Sequence, residues 1–205
     1  MARPREFREK AVLDAAMDCF WHRGYEATSV RDLIAHTGLA GASLYNAFGD
    51  KRALFRTALQ HYVAASIGER IRRCEALPPR AAIGAFFDEI LNRSLTDRAH
   101  KGCMLVNSAL EVAPHDAEFR AMIAGMLNRI ETFFRTRVEA GQADGTIAAT
   151  LSPDHAARHL LGVLMGVRVL ARVRPERALL EAVVAPALAL LDGADQPQRR
   201  PGDRT

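Results

Sequence analysis

The segment from Thr28 to Phe48 constrains this chain more than any other, because it confines two short helices to one turn and one shared core. Ser29 followed three residues later by Asp32 is a helix start in which hydroxyl and carboxylate each satisfy the other's orphan amide. Val30, Leu33 and Ile34 then repeat at three-to-four spacing and give that helix one short apolar face. Gly38 suits the left-handed residue that closes such a helix, since it has no Cβ to penalise positive φ. Leu39, Leu44 and Phe48 bring a second helix onto the same core, and its other side carries only Gly41, Ala42, Ser43, Tyr45, Asn46 and Ala47. So little bulk lets the helix approach a surface closely, and the major groove of DNA is the natural counterpart. The alternative is an ordinary αα-hairpin, which would normally carry long charged residues on that face.

Composition is compatible with this reading without deciding it. The 205 residues can hold one small and one larger helical domain, and 49% of them are hydrophobic, enough for a core. No apolar run approaches the ~20 residues that a bilayer span needs. The charged start, Met1-Ala2-Arg3-Pro4-Arg5-Glu6, leads into an amphipathic pattern rather than an apolar signal segment, so a cytoplasmic chain without a membrane partner is expected. Three cysteines, at 19, 74 and 103 with no CxxC, suit a reducing compartment rather than a disulfide framework. The net charge of +4 is spread along the chain, so position rather than total charge must carry any nucleic-acid argument.

The periodicity predicts an all-α chain of about nine helices. A first helix over about 5–23 turns Phe7, Ala11, Val12, Ala15, Ala16, Cys19 and Phe20 inward and ends at Gly24, with Trp21 and Tyr25 as packing residues. Asp50 caps a fourth helix carrying Leu54, Phe55, Ala58, Leu59, Tyr62 and Val63. No Gly/Ser linker intervenes, so the expected boundary between a helix-turn-helix domain (1–50) and a larger helical domain (51–192) lies at its start. Pro78-Pro79 breaks the chain before a helix over 80–97, and the most regular stripe runs over 116–140. Ser152-Pro153-Asp154 opens a helix that is apolar nearly all round, followed by a last helix over 175–191. A helix apolar on every side must be buried, and pairing both across a two-fold axis achieves it. The expected homodimer interface is Leu160, Gly162, Leu164, Gly166 and Val167 with Leu180, Val183, Val184, Ala187 and Leu188. Residues 193–205 are expected to be a disordered tail.

The runs Thr28–Ala35, Thr37-Gly38-Leu39, Ser43–Phe48 and Gly49–Leu54 together resemble the DNA-binding module of TetR-type transcriptional regulators over roughly residues 5–56. That resemblance implies a homodimer whose N-terminal domain binds a palindromic double-stranded operator and whose C-terminal domain binds a small effector that releases the DNA. It departs from the usual pattern at Ala40, where a Ser or Thr often caps the recognition helix, and at Ala47, where a His or Tyr often touches phosphate. The implied DNA contacts are Thr28, Ser29, Arg31, Tyr45 and Lys51 to phosphate, and Ser43 to a base edge or phosphate. Asn46 can bridge adenine N6 and N7, while Gly41 and Ala42 contribute little bulk or a contact to a thymine methyl.

Phe86, Phe87, Met104, Leu110, Phe119, Met122, Phe133 and Phe134, with Asn107 beside them, supply an aromatic and thioether surface that suits an apolar effector or a solid core. Cys103 follows His100-Lys101-Gly102 and opens a helix, where dipole and charge favour thiolate, so it is a candidate regulatory thiol toward an electrophile. Some electrophile-sensing TetR-type repressors look similar here. A buried inert cysteine is the competing reading, and copper or zinc held with His100 or His115 a third. No catalytic motif appears (no HExxH, no GxSxG, no Gly-rich phosphate loop, no Glu-x-x-His), so neither an enzyme nor a metal or cofactor is expected. His155 and His159 lie one turn apart without a third ligand and are expected to be surface residues. The competing function is a thiol-reactive or ligand-binding helical protein that uses no DNA.

Overall fold

The computed structural model describes the backbone of residues 3–192 and the side chains of residues 9–192. The expected tail, 193–205, and the Phe7 side chain lie outside the described residues. Among the described residues every regular element is helical.

Helices α1 (Arg3–Arg23), α2 (Val30–Thr37) and α3 (Gly41–Phe48) form the first group. The Ser29–Asp32 capping box starts α2: Ser29 Oγ accepts from the Asp32 amide at 3.2 Å, and Asp32 Oδ2 accepts from the Ser29 amide at 2.9 Å. The Ser29 hydrogen bonds hold the Asp32 carboxyl below its usual range. Gly38 ends α2 at φ 68° and donates to the Ile34 carbonyl at 3.0 Å, so the two orphan ends of this short helix are satisfied locally. Leu33 and Leu44 are fully buried alongside Ala16, Cys19 and Phe20 of α1. Burial pushes the Cys19 and Cys74 thiols up, which leaves both as inert core residues.

Asp50 caps α4 (Lys51–Tyr62), which continues with helical dihedrals through a π-helical turn, Val63–Gly68, into α5 (Glu69–Glu75). The apolar periodicity did not announce that turn. Then follow α6 (Pro79–Thr96), α7 (Met104–Glu111), α8 (Ala117–Ala143), α9 (Pro153–Val173) and α10 (Arg177–Asp192). Counting α4 to α5 as one rod, the described residues form nine helices, the all-α layout that periodicity predicts. No helix among them is long and apolar enough to cross a membrane.

The larger core is a block of phenylalanines between α6 and α8. Phe86 meets Phe133 at 5.3 Å and Phe134 at 5.1 Å between ring centroids, and Phe87 stacks on Phe134 at 5.7 Å. Helix α9 packs against α8, α10 and α6, and this corrects most of the expected dimer interface. Leu160, Leu164 and Val167 of α9, and Leu180, Val184 and Ala187 of α10, are buried in the chain's own core. The terminal helices do find intrachain partners, because the long α8 and α6 reach them. What stays open is the opposite stripe of α9: His155, His159, Gly162, Val169 and Val173 are exposed and Gly166 half-buried. Val183 and Leu188 are half-buried, and Leu190 is exposed beside them.

The two helical groups meet along a narrow seam. Phe55 of α4 packs on Phe20 (5.0 Å), Tyr25 (4.7 Å) and Phe119 of α8 (5.3 Å). Arg52 caps that contact from solvent: Nε and Nη2 donate to the Asp116 carboxylate at 2.9 and 3.1 Å, and Nη2 also to Glu118 at 2.7 Å. Arg56 adds a bond to Glu118 at 2.9 Å. Arg52 holds the Asp116 carboxyl below its ordinary range, and Arg52 with Arg56 does the same to Glu118. Depressed folded values mean that this stabilisation is complete above about pH 5 and is lost as pH falls below about pH 4 through the folded values. Urea denaturation at fixed protein concentration should therefore give a shallower acid-side loss of stability in Arg52→Ala than in the parent. Parallel losses would mean that the latch does not form.

Candidate nucleic-acid interface and the cavity behind it

Helix α3 turns Ala42, Ser43, Asn46 and Ala47 to solvent, with Leu44 buried beneath and Tyr45 half-buried at the edge. Ala40 occupies the cap position without a side-chain hydrogen bond, so the first amides of α3 have no cap side chain. Such an end is available to an anion. Arg31 is exposed and makes no ion pair among the described residues. One expected contact needs correction, and two others have a structural role of their own. Thr28 is buried, and its hydroxyl donates to the Gly24 carbonyl at 2.5 Å, so the side chain latches the α1–α2 corner and does not face a phosphate. Ser29 is exposed, but its hydroxyl serves the capping box, donating to Asp32 Oδ2 at 2.6 Å. Gly41 is small for an internal reason: a Cβ there would stand 3.1 Å from Ile34 Cδ1, so its bareness seats α3 against α2. Lys51 stands over the Tyr25 ring at 4.6 Å and donates to the Glu26 carbonyl at 3.3 Å, which fixes its charge beside the start of α2.

That corner is tied to α7. Glu111, the last residue of α7, accepts from the amides of Tyr25 at 3.1 Å and Glu26 at 2.9 Å. Gly24 makes room for the carboxylate: its φ is +85°, and a Cβ on it would fall 2.8 Å from both Glu111 oxygens.

The other end of α7 borders a cavity of about 270 Å³. Its wall joins the π turn (Ser66, Ile67), α5 (Arg70), α6 (Phe86, Ile90, Arg93), the α6–α7 connector (Lys101, Gly102, Cys103) and α9 (Leu164, Met165, Arg168), closed by Trp21 and Tyr62. Of the expected effector residues, only Phe86 and Cys103 line it. Phe87, Phe133 and Phe134 fill the aromatic block, Met104 is buried without lining the cavity, and Phe119 belongs to the Phe55 seam. Met122 is half-buried on α8, and Asn107 and Leu110 lie over a separate shallow groove with Glu111 and Arg172. Stripes that read as ligand surface are thus packing, because long helices consume their own aromatics in crossing.

Cys103 is the N-terminal flanking residue of α7, 8% exposed, and its Sγ accepts from Tyr62 Oη at 3.5 Å. Burial pushes the Tyr62 phenol far up, so it remains a donor. Lys101, expected to favour thiolate, is paired with Asp18 at 2.9 Å and lies over Trp21 at 4.5 Å. Among the described residues no three His, Cys, Asp or Glu side chains gather as metal ligands.

Sequence reasoning missed the arginines. Arg70 is 2% and Arg168 9% exposed, and the available signal was their position: Arg70 next to Ile71, and Arg168 between Val167 and the Leu164–Ala171 face. Both sit on stripes that are otherwise apolar and inward.

Residues 12–58 match the family profile described as bacterial regulatory proteins, tetR family, and residues 79–186 match the tetracyclin repressor-like C-terminal domain. The chain is 31% identical over 194 residues to the uncharacterized HTH-type transcriptional regulator YezE of Bacillus subtilis, covering 94% of this chain and 100% of that one. It is 30% identical over 172 residues to the HTH-type transcriptional repressor ComR of Escherichia coli, covering 83% and 82%. Among solved structures, a cysteine mutant of the TetR family regulator CifR, complexed with 26-bp double-strand operator DNA, superposes with a TM-score of 0.80. That match has 33% identity and covers 89% of this chain and 95% of the other. The family and these relatives are transcriptional regulators, not enzymes. With both family profiles matched and this overlap with a TetR family regulator, the chain belongs to the TetR family of DNA-binding transcriptional regulators.

Proposed function

We propose that the chain is a homodimeric repressor, acting in the cytoplasm, that leaves a palindromic operator when a small effector enters the cavity. The observation that carries this is α7. One end, at Cys103, borders the cavity, and the other, through Glu111, holds the amides of the α1–α2 corner. The helix is roughly 12 Å long by its rise, short enough to move as one body. In this reading residues 1–50 are the DNA-binding domain and residues 51–192 the effector and dimerisation domain. A ligand that displaces α7 or the π turn shifts the corner and with it α3. It must bind the DNA-incompetent arrangement more tightly, or the equilibrium does not move. The repressor description of ComR supports the direction of regulation.

In the groove, Ser43 and Asn46 read base edges, Ala42 meets a thymine methyl, and Tyr45, Arg31 and Lys51 contact phosphate, Lys51 from its seat over Tyr25. One helix of eight residues reads too few bases, so two copies on a palindrome are needed. Fluorescence anisotropy with the DNA flanking the gene tests this. Lys51→Ala should weaken binding to all sequences and reduce the salt slope by about one, whereas Asn46→Ala should relax base preference at one position by about 1–3 kcal/mol. Uniform loss in both variants would remove Asn46 from base reading.

Dimerisation uses the outer stripe of α9, where Gly162 and Gly166 have nothing within 4 Å of an added Cβ and so leave space for a second backbone. Gly162→Leu should raise the helix's own stability by up to about 1 kcal/mol while weakening self-association. Light scattering that finds an unchanged dimer would move the interface elsewhere.

A second reading of the effector rests on Cys103 Sγ standing in the cavity wall at the head of α7. A quinone entering there would add to the thiol: the S–H bond breaks and an S–C bond forms at a ring carbon, the thiol proton passes through solvent to one quinone oxygen, and the proton then lost from that ring carbon passes to the other, so both carbonyls become hydroxyls and the ring becomes aromatic. Operator release by a quinone should be lost in Cys103→Ser and kept in Cys74→Ser. Release from both variants as in the parent would reduce Cys103 to packing.

A further inference from the structure

The cavity wall holds more positive charge than its carboxylates balance. Arg168 has only neutral partners: Nη1 donates to Ser94 Oγ at 2.7 Å and Nη2 to the Gly102 carbonyl at 2.5 Å. Arg93 donates to Ser66 Oγ at 3.0 Å and makes no ion pair among the described residues. Arg70 faces Glu89 at 3.2 Å, but that carboxylate also takes two hydrogen bonds from Arg73, each at 2.8 Å. Asp97, the carboxylate of the wall, accepts from the Gly102 amide at 2.9 Å. Burial depresses the Arg70 guanidinium; Glu89 opposes this, while Arg93 and Arg168 add to it, so these cations feel one another.

Two donors in the wall residues have neither a hydrogen-bond nor an ion-pair partner, Arg168 Nε and Trp21 Nε1, both buried, while Arg70 Nε faces Glu89 without forming a hydrogen bond to it. Buried donors and unpaired charge are unfavourable unless something accepts from them. The same wall presents Phe86, Ile90 and Leu164, an apolar surface that a hydrated inorganic ion would leave poorly covered. Resting on the reading of this cavity as the effector site, we propose that its ligand is a small organic carboxylate whose anionic head meets Arg168 and the neighbouring cations and whose apolar body lies on Phe86, Ile90 and Leu164. This replaces the wholly apolar effector that the aromatic stripes suggested. Arginine suits the role because its planar fork binds a carboxylate through two donors and stays charged.

Trp21 is the one tryptophan of the chain and lines the cavity, so its fluorescence reports occupancy. The full-length dimer would be titrated with phenylacetate, cinnamate and octanoate, with the primary amide of each, and with potassium phosphate. The expected result is a saturable change with at least one carboxylate, at an affinity about tenfold or more above its amide, since a charge-assisted bond is lost in the amide. Arg168→Met should bring the carboxylate down to the level of the amide with the circular dichroism unchanged. Arg93→Met, which loses only the Ser66 contact, should reduce the preference and decides the matter if Arg168→Met does not fold. The proposal is overturned if no carboxylate saturates, if the amides bind as well, or if the preference survives in the folded variants. A response to phosphate equal to that of the carboxylates overturns its organic-body half. Operator release, measured separately, distinguishes the two readings. Carboxylates that bind with the stated preference and never release DNA would sink the effector reading alone, whereas release by amides but not carboxylates would sink this proposal alone.

Discussion

The packing of Phe55 between Phe20, Tyr25 and Phe119 is the contact on which the two halves of the molecule depend. Helix α3 and the cavity share no residue, and the two halves touch at this seam, at the Glu111 clamp, and where Trp21 and Asp18 of α1 meet Tyr62 and Lys101 of the cavity wall. The seam and the clamp differ in kind. The aromatic seam is apolar and non-directional and tolerates a small slide, whereas the clamp is a charge-assisted pair of hydrogen bonds that a shift of an ångström breaks. The seam therefore tolerates small displacements that the clamp does not. Gly24 is the local condition for the clamp, because any side chain there would displace the Glu111 carboxylate.

Rules of local consistency hold through most of this chain and fail at the cavity. Caps, turns and apolar stripes agree with the elements they start and fill, from the Ser29–Asp32 box to Ser152 ahead of α9. At the cavity a π-helical turn interrupts the long rod, and two guanidinium groups lie inside a core where each carries a desolvation penalty of several kcal/mol before pairing. Packing alone gives no reason to keep Arg168 where a leucine would satisfy the face of α9. Violations of this sort concentrate at sites kept for binding, and here they coincide on one wall.

Helix α9 illustrates how hydrophobicity specifies burial without naming the partner. Its pattern is apolar nearly all round, and the free energy of removing that surface from water is the same whether the cover comes from α8 or from a second chain. In the folded chain the side bearing Leu160, Leu164 and Val167 is covered internally, while the Gly162–Gly166 stripe, with Val169 at 46% and Val173 at 77% exposure, stays uncovered. The apolar surface left open thus lies on the opposite side of α9 from Leu160, Leu164 and Val167.

How much was legible follows the range of the forces involved. Helix starts and stops are decided within four residues, so Ser29, Gly38, Asp50 and Ser152 mark the ends of α2 and the starts of α4 and α9 in the sequence itself. The all-α class and the order of the helices came from periodicity, which is likewise local. The position of Gly41 against Ile34, the burial of Thr28 and the emptiness beside Phe86 depend on which faces meet across more than a turn of chain. Sequence determined the elements and the family-like surface of α3. Only the tertiary structure decided which aromatics became packing and which arginines were drawn inside, because side-chain burial is a property of crossings between helices and no single helix contains it.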